Sequence, residues 1–214
     1  MQSKKKLLRN SKLYLILDRE VNDYHRLFEI LRQAVQFGVD IVQLRDKHGS
    51  ARDILDFSKE AVRLVRGKIP FLVNDRVDLA WAARAFGVHL GQEDLPFALA
   101  RKIMGEKAII GASCQSLEQA RIAERGGADY IGFGSVFQTL TKPDRQAMDP
   151  ELLRDVVKKI KIPVFAIGGI NLQNVTRVCR LGVEKIAVCR AIGEAEQVDQ
   201  AIMDFRQILD NRIA

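Results

Sequence analysis

Cysteine is scarce: Cys114, Cys179 and Cys189 are the three in 214 residues, and no pair has CxxC spacing. An odd number without metal-ligand spacing excludes a disulfide framework and a zinc ribbon, and points to reduced thiols in a cytosolic protein. Proline and glycine are also sparse, at 5 and 15, which excludes collagen-like and low-complexity chains. Long hydrophobic runs are missing. The longest, such as those at 13–17 and 164–167, have strand length, so no bilayer-spanning segment is expected. Lys4, Lys5 and Lys6 precede only Leu7 and Leu8 before Arg9, so there is no h-region of a signal peptide. GxGxxG, GxSxG and HExxH are all absent, which removes support for a dinucleotide fingerprint, a nucleophile elbow and a zinc helix.

What is present is a globular composition, 47% hydrophobic and 29% charged, in a length that suits one domain. The net charge is +7, but Lys4, Lys5, Lys6, Arg9 and Lys12 carry most of the excess. Residues 1–12 therefore read as a basic tail ending in solvent, residues 13–214 as the folded domain, and nucleic acid is not an expected partner.

Eight short apolar, β-branched runs alternate with helix-length amphipathic ones. The expected strands are 13–17, 41–44, 71–73, 87–90, 108–111, 130–133, 164–167 and 185–188. Their continuous apolar character suits parallel strands covered on both faces. Helical patterns lie between them, at 25–37, 51–65, 117–125 and 151–160. Asp149-Pro150 supplies the last of these with an N-cap and a first-turn proline. Eight such even units predict a small single-domain (β/α)8 barrel, an α/β TIM barrel, more readily than an open doubly wound sheet.

In such a barrel chemistry sits where strands end, and the polar clusters fall there. Arg45 and Lys47 are alternate residues past an apolar strand, so they share one side of an extended chain. A phosphate or diphosphate is their natural partner, salt bridges to Asp46 or Glu93 the alternative. Asp75 and Asp94 follow neighbouring strands, about 5 Å apart in backbone terms, and suit Mg2+ with substrate phosphate. Helix capping is the other reading of each. Gly168-Gly169 and Gly132-Phe133-Gly134 allow backbone N–H groups close to an anion, or simply make tight turns. Thr139, Thr141 and Lys142 lie in the longest expected loop and could add donors from a lid. His25 reads as surface, His89 as a structural hydrogen-bonding group, and Trp81 as packing.

The ordered set Gln43-Leu44-Arg45-Asp46-Lys47, Val73-Asn74-Asp75-Arg76, Gly87 to Asp94, Gly111 to Cys114, Asp129 to Phe137, Thr139-Leu140-Thr141-Lys142 and Ala166 to Ile170 resembles the thiamine-phosphate synthase family from about Leu13 to Ile192. The resemblance implies condensation of a hydroxymethylpyrimidine diphosphate with a thiazole phosphate, giving thiamine monophosphate and pyrophosphate. It implies that Gln43, Leu44, Arg45, Asp46, Lys47, Asn74, Ser113 and Lys142 hold the pyrimidine diphosphate, with Arg45, Lys47 and Lys142 catalytic. Thr139, Leu140, Thr141, Gly169, Cys189 and Arg190 would face the thiazole phosphate, and Asp75 and Asp94 would ligate Mg2+. Partners would be these small phosphorylated substrates; a homo-oligomer stays open. The chain departs from the family pattern at Cys189 and Arg190, where a small apolar residue and Ser are usual, and at Gln138, where Pro is frequent. A thiazole tautomerase-like isomerase and a catalytically idle barrel are the alternatives.

Overall fold

The structure, a computed structural model, describes residues 3–139 and 147–211. Among these residues the strands are β1 (Leu13–Asp18), β2 (Ile41–Arg45), β3 (Phe71–Asn74), β4 (Gly87–Leu90), β5 (Ile109–Cys114), β6 (Tyr130–Phe133), β7 (Val164–Ile167) and β8 (Ile186–Val188). All pair in parallel in chain order, and β8 closes on β1 with Leu13 opposite Ile186. The helices are α1 (Lys4–Asn10), α2 (Tyr24–Phe37), α3 (Ala51–Val65), α4 (Val77–Ala82), α5 (Phe97–Met104), α6 (Leu117–Arg125), α7 (Pro150–Lys159), α8 (Val175–Arg180), α9 (Arg190–Gly193) and α10 (Val198–Asp210). The expected (β/α)8 barrel is the fold. Among the described residues no helix is long and apolar enough to cross a membrane.

The period of two along each strand sorts side chains into two cores. Leu13, Leu15, Leu17, Val42, Leu44, Val73 and Val88 point outward and pack under the helices in the larger cluster. Tyr14, Ile16, Ile41, Leu72, Ile109, Tyr130, Phe165 and Ala187 point inward and fill the barrel with the second cluster. Because Ile41 is inward, Gln43 and Arg45 on the same strand are inward too, whereas Leu44 is not. This parity decides which strand-end residues reach the site.

The basic N-terminal stretch differs from the solvated tail expected of it. Residues 4–10 are helical, capped by the Ser3 hydroxyl accepting from the Lys6 N–H. Leu8 is buried in the inner cluster beneath Tyr14, so α1 closes the N-terminal end of the barrel. Lys4 donates to the carbonyl oxygens of Glu106 and Ala108 and pairs with Asp129 at 2.9 Å. The charge that suggested solvent is partly spent on the barrel floor. Trp81, expected to pack, is 63% exposed on α4.

Candidate active site

At the opposite end, where the strands terminate, a cavity of about 780 Å3 opens into the barrel. Among the described residues its lining includes Gln43, Arg45, Lys47, Asn74, Asp75, Asp94, Ser113, Thr139, Gly169, Cys189 and Arg190, drawn from the ends of β2 to β8 and the loops after them. The sequence singled out all of these. Leu44 and Asp46 are not in the lining. Leu44 faces the outer core by strand parity, and Asp46 turns the opposite way to Arg45 and Lys47. Leu140, Thr141 and Lys142 lie outside the described residues.

Asp46 has a different task. Its carboxylate accepts from the Tyr24 hydroxyl at 2.7 Å and from the His48 and Gly49 N–H groups, and Arg19 lies 3.9 Å away. Burial works against its charge, yet these hydrogen bonds outweigh it and hold the carboxyl below its ordinary value. The site that binds Asp46 is thus the turn itself, which fixes the direction in which Arg45 and Lys47 leave β2.

Arg45 does not pair with Asp46 or Glu93. Its Nη1 donates to both oxygens of Asp18 at 2.9 and 2.8 Å and lies 3.1 Å from Glu20. Asp18 is directly opposite Arg45 in the β1–β2 register, and its side chain is fully buried. Burial lowers the affinity of the guanidinium for its proton, but Asp18 and Glu20 more than restore it. Asp18 is a lining residue that sequence reasoning missed; Leu13 to Leu17 was read as an apolar strand, and the acid one residue beyond its end carried no motif.

Lys47 makes an ion pair with Asp75. Neither acid caps the helix after it: Arg76 and Pro96 hold the N-cap positions of α4 and α5, without side-chain cap bonds. Asp75 sits at φ +61°, a left-handed conformation that is costly for a residue with a Cβ. Asp94 accepts from the Gly91 N–H at 2.6 Å, which bends its loop back over β4. Burial and the nearby Asp94 push the Asp75 carboxyl above its ordinary value, against the pull of Lys47. Two carboxylates that resist being charged together are suited to a cation. Among the described residues no group of three His, Cys, Asp or Glu side chains could hold a metal ion by itself.

The glycines of the β6 and β7 loops serve packing as well as access. Gly168 and Gly169 have φ of +103° and +62°, and a Cβ at each would fall 2.1 Å from Ser135 Oγ and 2.5 Å from the Gln138 carbonyl oxygen. The turn reading therefore accounts for the pair, although Gly169 still borders the cavity. On the far wall Arg190 pairs with Glu194, and its Nε is buried without a hydrogen-bond partner among the described residues. Cys189 is inward, its sulfur 4.0 Å from Asp18, and burial pushes its thiol up to about 12. A thiol so raised is a packing group and not a nucleophile at neutral pH.

At the base of the cavity, which it helps to line, His89 hydrogen-bonds Tyr130 and Ser113, the structural role expected of it. The neighbouring Tyr14 and Tyr130 hydroxyls, which sequence reasoning passed over as apolar strand filling, carry the same network on to Gln43.

With this geometry in view, the comparisons with known proteins are specific. A family model described as thiamine monophosphate synthase matches residues 13–192. A thiamine-phosphate synthase of Clostridium acetobutylicum is 42% identical over 205 residues, covering 94% of this chain and 96% of that protein. One from Pyrococcus abyssi is 44% identical over 200 residues, covering 93% and 95%. The solved structure of a thiamine phosphate pyrophosphorylase from Pyrococcus furiosus superposes with a TM-score of 0.87 at 41% identity, covering 98% and 99% of the two chains. The barrel, the lining of its mouth and this near full-length identity make the chain a member of the thiamine monophosphate synthase family, a family of transferase enzymes.

Proposed function

We propose that the chain condenses 4-amino-2-methyl-5-(diphosphomethyl)pyrimidine with 4-methyl-5-(2-phosphoethyl)thiazole to give thiamine monophosphate and pyrophosphate, or with its carboxylated form to give the same two products and CO2. The observation that carries this reading is the convergence of Arg45, Lys47, Asp75 and Asp94 on one cavity. Two cations and two facing acids suit a diphosphate shared with a hard divalent ion, and the cavity extends past them to a second wall at Gly169 and Arg190 for another phosphate.

In the proposed reaction the bond from the pyrimidine methylene carbon to the diphosphate oxygen breaks first, and its electron pair leaves with pyrophosphate. The thiazole nitrogen then supplies the pair for the new carbon–nitrogen bond. With the uncarboxylated thiazole no proton need move, whereas the carboxylated form loses CO2 and takes a proton at the carbon it leaves; neither route calls for a protein nucleophile. Arg45 and Lys47, joined by Lys142, would stabilise charge growing on the departing pyrophosphate. The Arg45 contacts to Asp18 and Glu20 all fall on Nη1, so the rest of its fork would serve the diphosphate. Gln43 and Asn74 would hold the pyrimidine ring of the pyrimidine diphosphate and Ser113 its diphosphate, and Thr139, Leu140, Thr141, Gly169, Cys189 and Arg190 the thiazole phosphate. Leu44 and Asp46 act here by supporting Arg45 and Lys47 from behind.

Asp75 and Asp94 fit Mg2+, an ion commonly held by one or two carboxylates that takes its remaining ligands from water and substrate phosphate. When bound, Mg2+ supplies positive charge against the leaving group.

Purified protein given both substrates should release pyrophosphate and form thiamine phosphate with Mg2+ and should not do so with EDTA. A folded protein that releases none under either condition would favour an isomerase or a binding-only barrel instead.

A further inference from the structure

Five side chains from five strands form a continuous hydrogen-bonded path across the barrel interior. The Tyr14 hydroxyl donates to Gln43 Oε1 at 2.8 Å and lies 2.8 Å from the Tyr130 hydroxyl. Tyr130 is 2.8 Å from His89 Nδ1, and His89 Nε2 is 2.9 Å from Ser113 Oγ. Both tyrosines are fully buried, while both ends of the path, Gln43 and Ser113, line the cavity. The barrel makes room for it. A Cβ at Gly111 would lie 2.2 Å from Tyr130 Cζ and 2.5 Å from His89 Nδ1, and one at Gly132 would lie 3.3 Å from His89 Cε1.

A hydroxyl has one proton, so the direction of one bond sets all the others. With Tyr14 donating to Gln43, Tyr130 must donate to Tyr14, His89 Nδ1–H to Tyr130, and the Ser113 hydroxyl to His89 Nε2. In this state Ser113 offers the cavity only lone pairs, and Gln43 turns its NH2 toward Asn74 Oδ1 at 3.4 Å. A phosphate oxygen only accepts, so Ser113 can engage one only by turning its proton outward. His89 then needs Nε2–H to satisfy Ser113, and every bond beyond it reverses. Gln43 ends by donating its NH2 to Tyr14 and presenting Oε1 to the cavity, with Asn74 turning its own amide to match. That oxygen is an acceptor for an amino group. The imidazole carries one proton in both states: Nε2 takes one from cavity solvent, Nδ1 returns one, and net charge is unchanged.

We propose that this path is a reversible relay, which couples engagement of the diphosphate at Ser113 to acceptance of the pyrimidine amino group at Gln43, 70 residues away in the chain. It makes Tyr14, Tyr130 and His89 positioning residues for recognition, and it rests on the substrate assignment above.

The chain has 3 histidines, and His25 and His48 are largely exposed, so nitrogen-15 NMR of histidine-labelled protein can isolate His89. The free protein should show the Nδ1–H form, and saturation with the aminopyrimidine diphosphate should convert it to Nε2–H. Binding without that conversion, or conversion to the doubly protonated ring, overturns the relay alone. Absence of binding by calorimetry overturns the substrate assignment and the relay with it. A kinetic arm compares kcat/KM for the aminopyrimidine diphosphate with that for its analogue lacking the amine. Ser113→Ala should lower this preference by roughly tenfold, the value of one well-made hydrogen bond. In a Tyr130→Phe background Ser113→Ala should leave the preference unchanged, and Tyr14→Phe offers the same cut if Tyr130→Phe does not fold. A purely structural path would lower kcat and stability while leaving the Ser113 effect intact in both backgrounds.

Discussion

At the N-terminal end of the barrel Asp129 is met by Lys4 at 2.9 Å, by Arg101 at 2.7 Å and by the Ile110 N–H, while Asp40 takes the Lys12 and Leu13 N–H groups together with Arg206. At the C-terminal mouth Asp75 has Lys47 on one side and Asp94 on the other, in a left-handed backbone, beside open cavity. Both ends use the same residue types. On the floor each acid is answered by cations and by backbone donors from different elements, so the charges tie the chain together. At the mouth acid faces acid, and the cations border a space large enough for a ligand. The first arrangement spends its electrostatics on the fold, the second keeps them for what enters.

Removing a cation at each end should separate these two uses. The largest effect is expected for Lys47→Ala, with loss of about 10²–10³-fold in kcat/KM for pyrophosphate release. Lys47 is 41% exposed, so its pair with Asp75 contributes little to folding. The urea midpoint should stay close to that of the unaltered protein. A large drop in midpoint with unchanged kcat/KM would mean that the mouth is built like the floor.

Asp129→Ala is the counterpart. It leaves Lys4 and Arg101 without their shared acid and takes an acceptor from the Ile110 N–H. Losing one partly buried acid with its charge-assisted hydrogen bonds costs about 2 kcal/mol, which urea unfolding would read. Activity per folded molecule should be unaltered, since Asp129 lies at the other end of the barrel. Loss of kcat/KM at full folding would show that the two ends are coupled.

The same contrast explains what could be read from sequence. Strand positions were legible because each is a continuous apolar run, and the expected 87–90, 130–133 and 164–167 are the observed β4, β6 and β7. Residues at strand ends were legible because barrel topology carries them to one mouth. α1 was not: Lys4-Lys5-Lys6 reads as solvated charge until Asp129 and the Ala108 carbonyl, more than 100 residues away, are brought beneath it. Leu44 was grouped with its motif, and a contiguous motif ignores the alternation of strand side chains that turns Leu44 to the outer core. The partner of Arg45 was misjudged for a related reason: Asp18 is far in sequence but directly opposite in register. Hydroxyls of buried tyrosines leave no mark on a hydrophobic pattern, so the Tyr14–Tyr130 link was invisible.

Asp46 stands between the two uses, since it lies at the mouth but is satisfied like a floor residue, and it gives the smallest effect. Asp46→Asn should cost about 1 kcal/mol at neutral pH through weakened bonds to Tyr24, His48 and Gly49, with a modest fall in kcat/KM as the turn bearing Lys47 loosens. The pH dependence identifies the cause. The folded carboxyl is held below its ordinary 3.8, so the unfolded chain binds the proton first as pH falls. The contribution of Asp46 is complete above that ordinary value and drains away as pH drops through the depressed one. Urea midpoints measured across this range should therefore converge for the two proteins at low pH. A gap that stays constant with pH would assign the loss to packing of the turn, and would place Asp46 with the uncharged scaffold of the mouth.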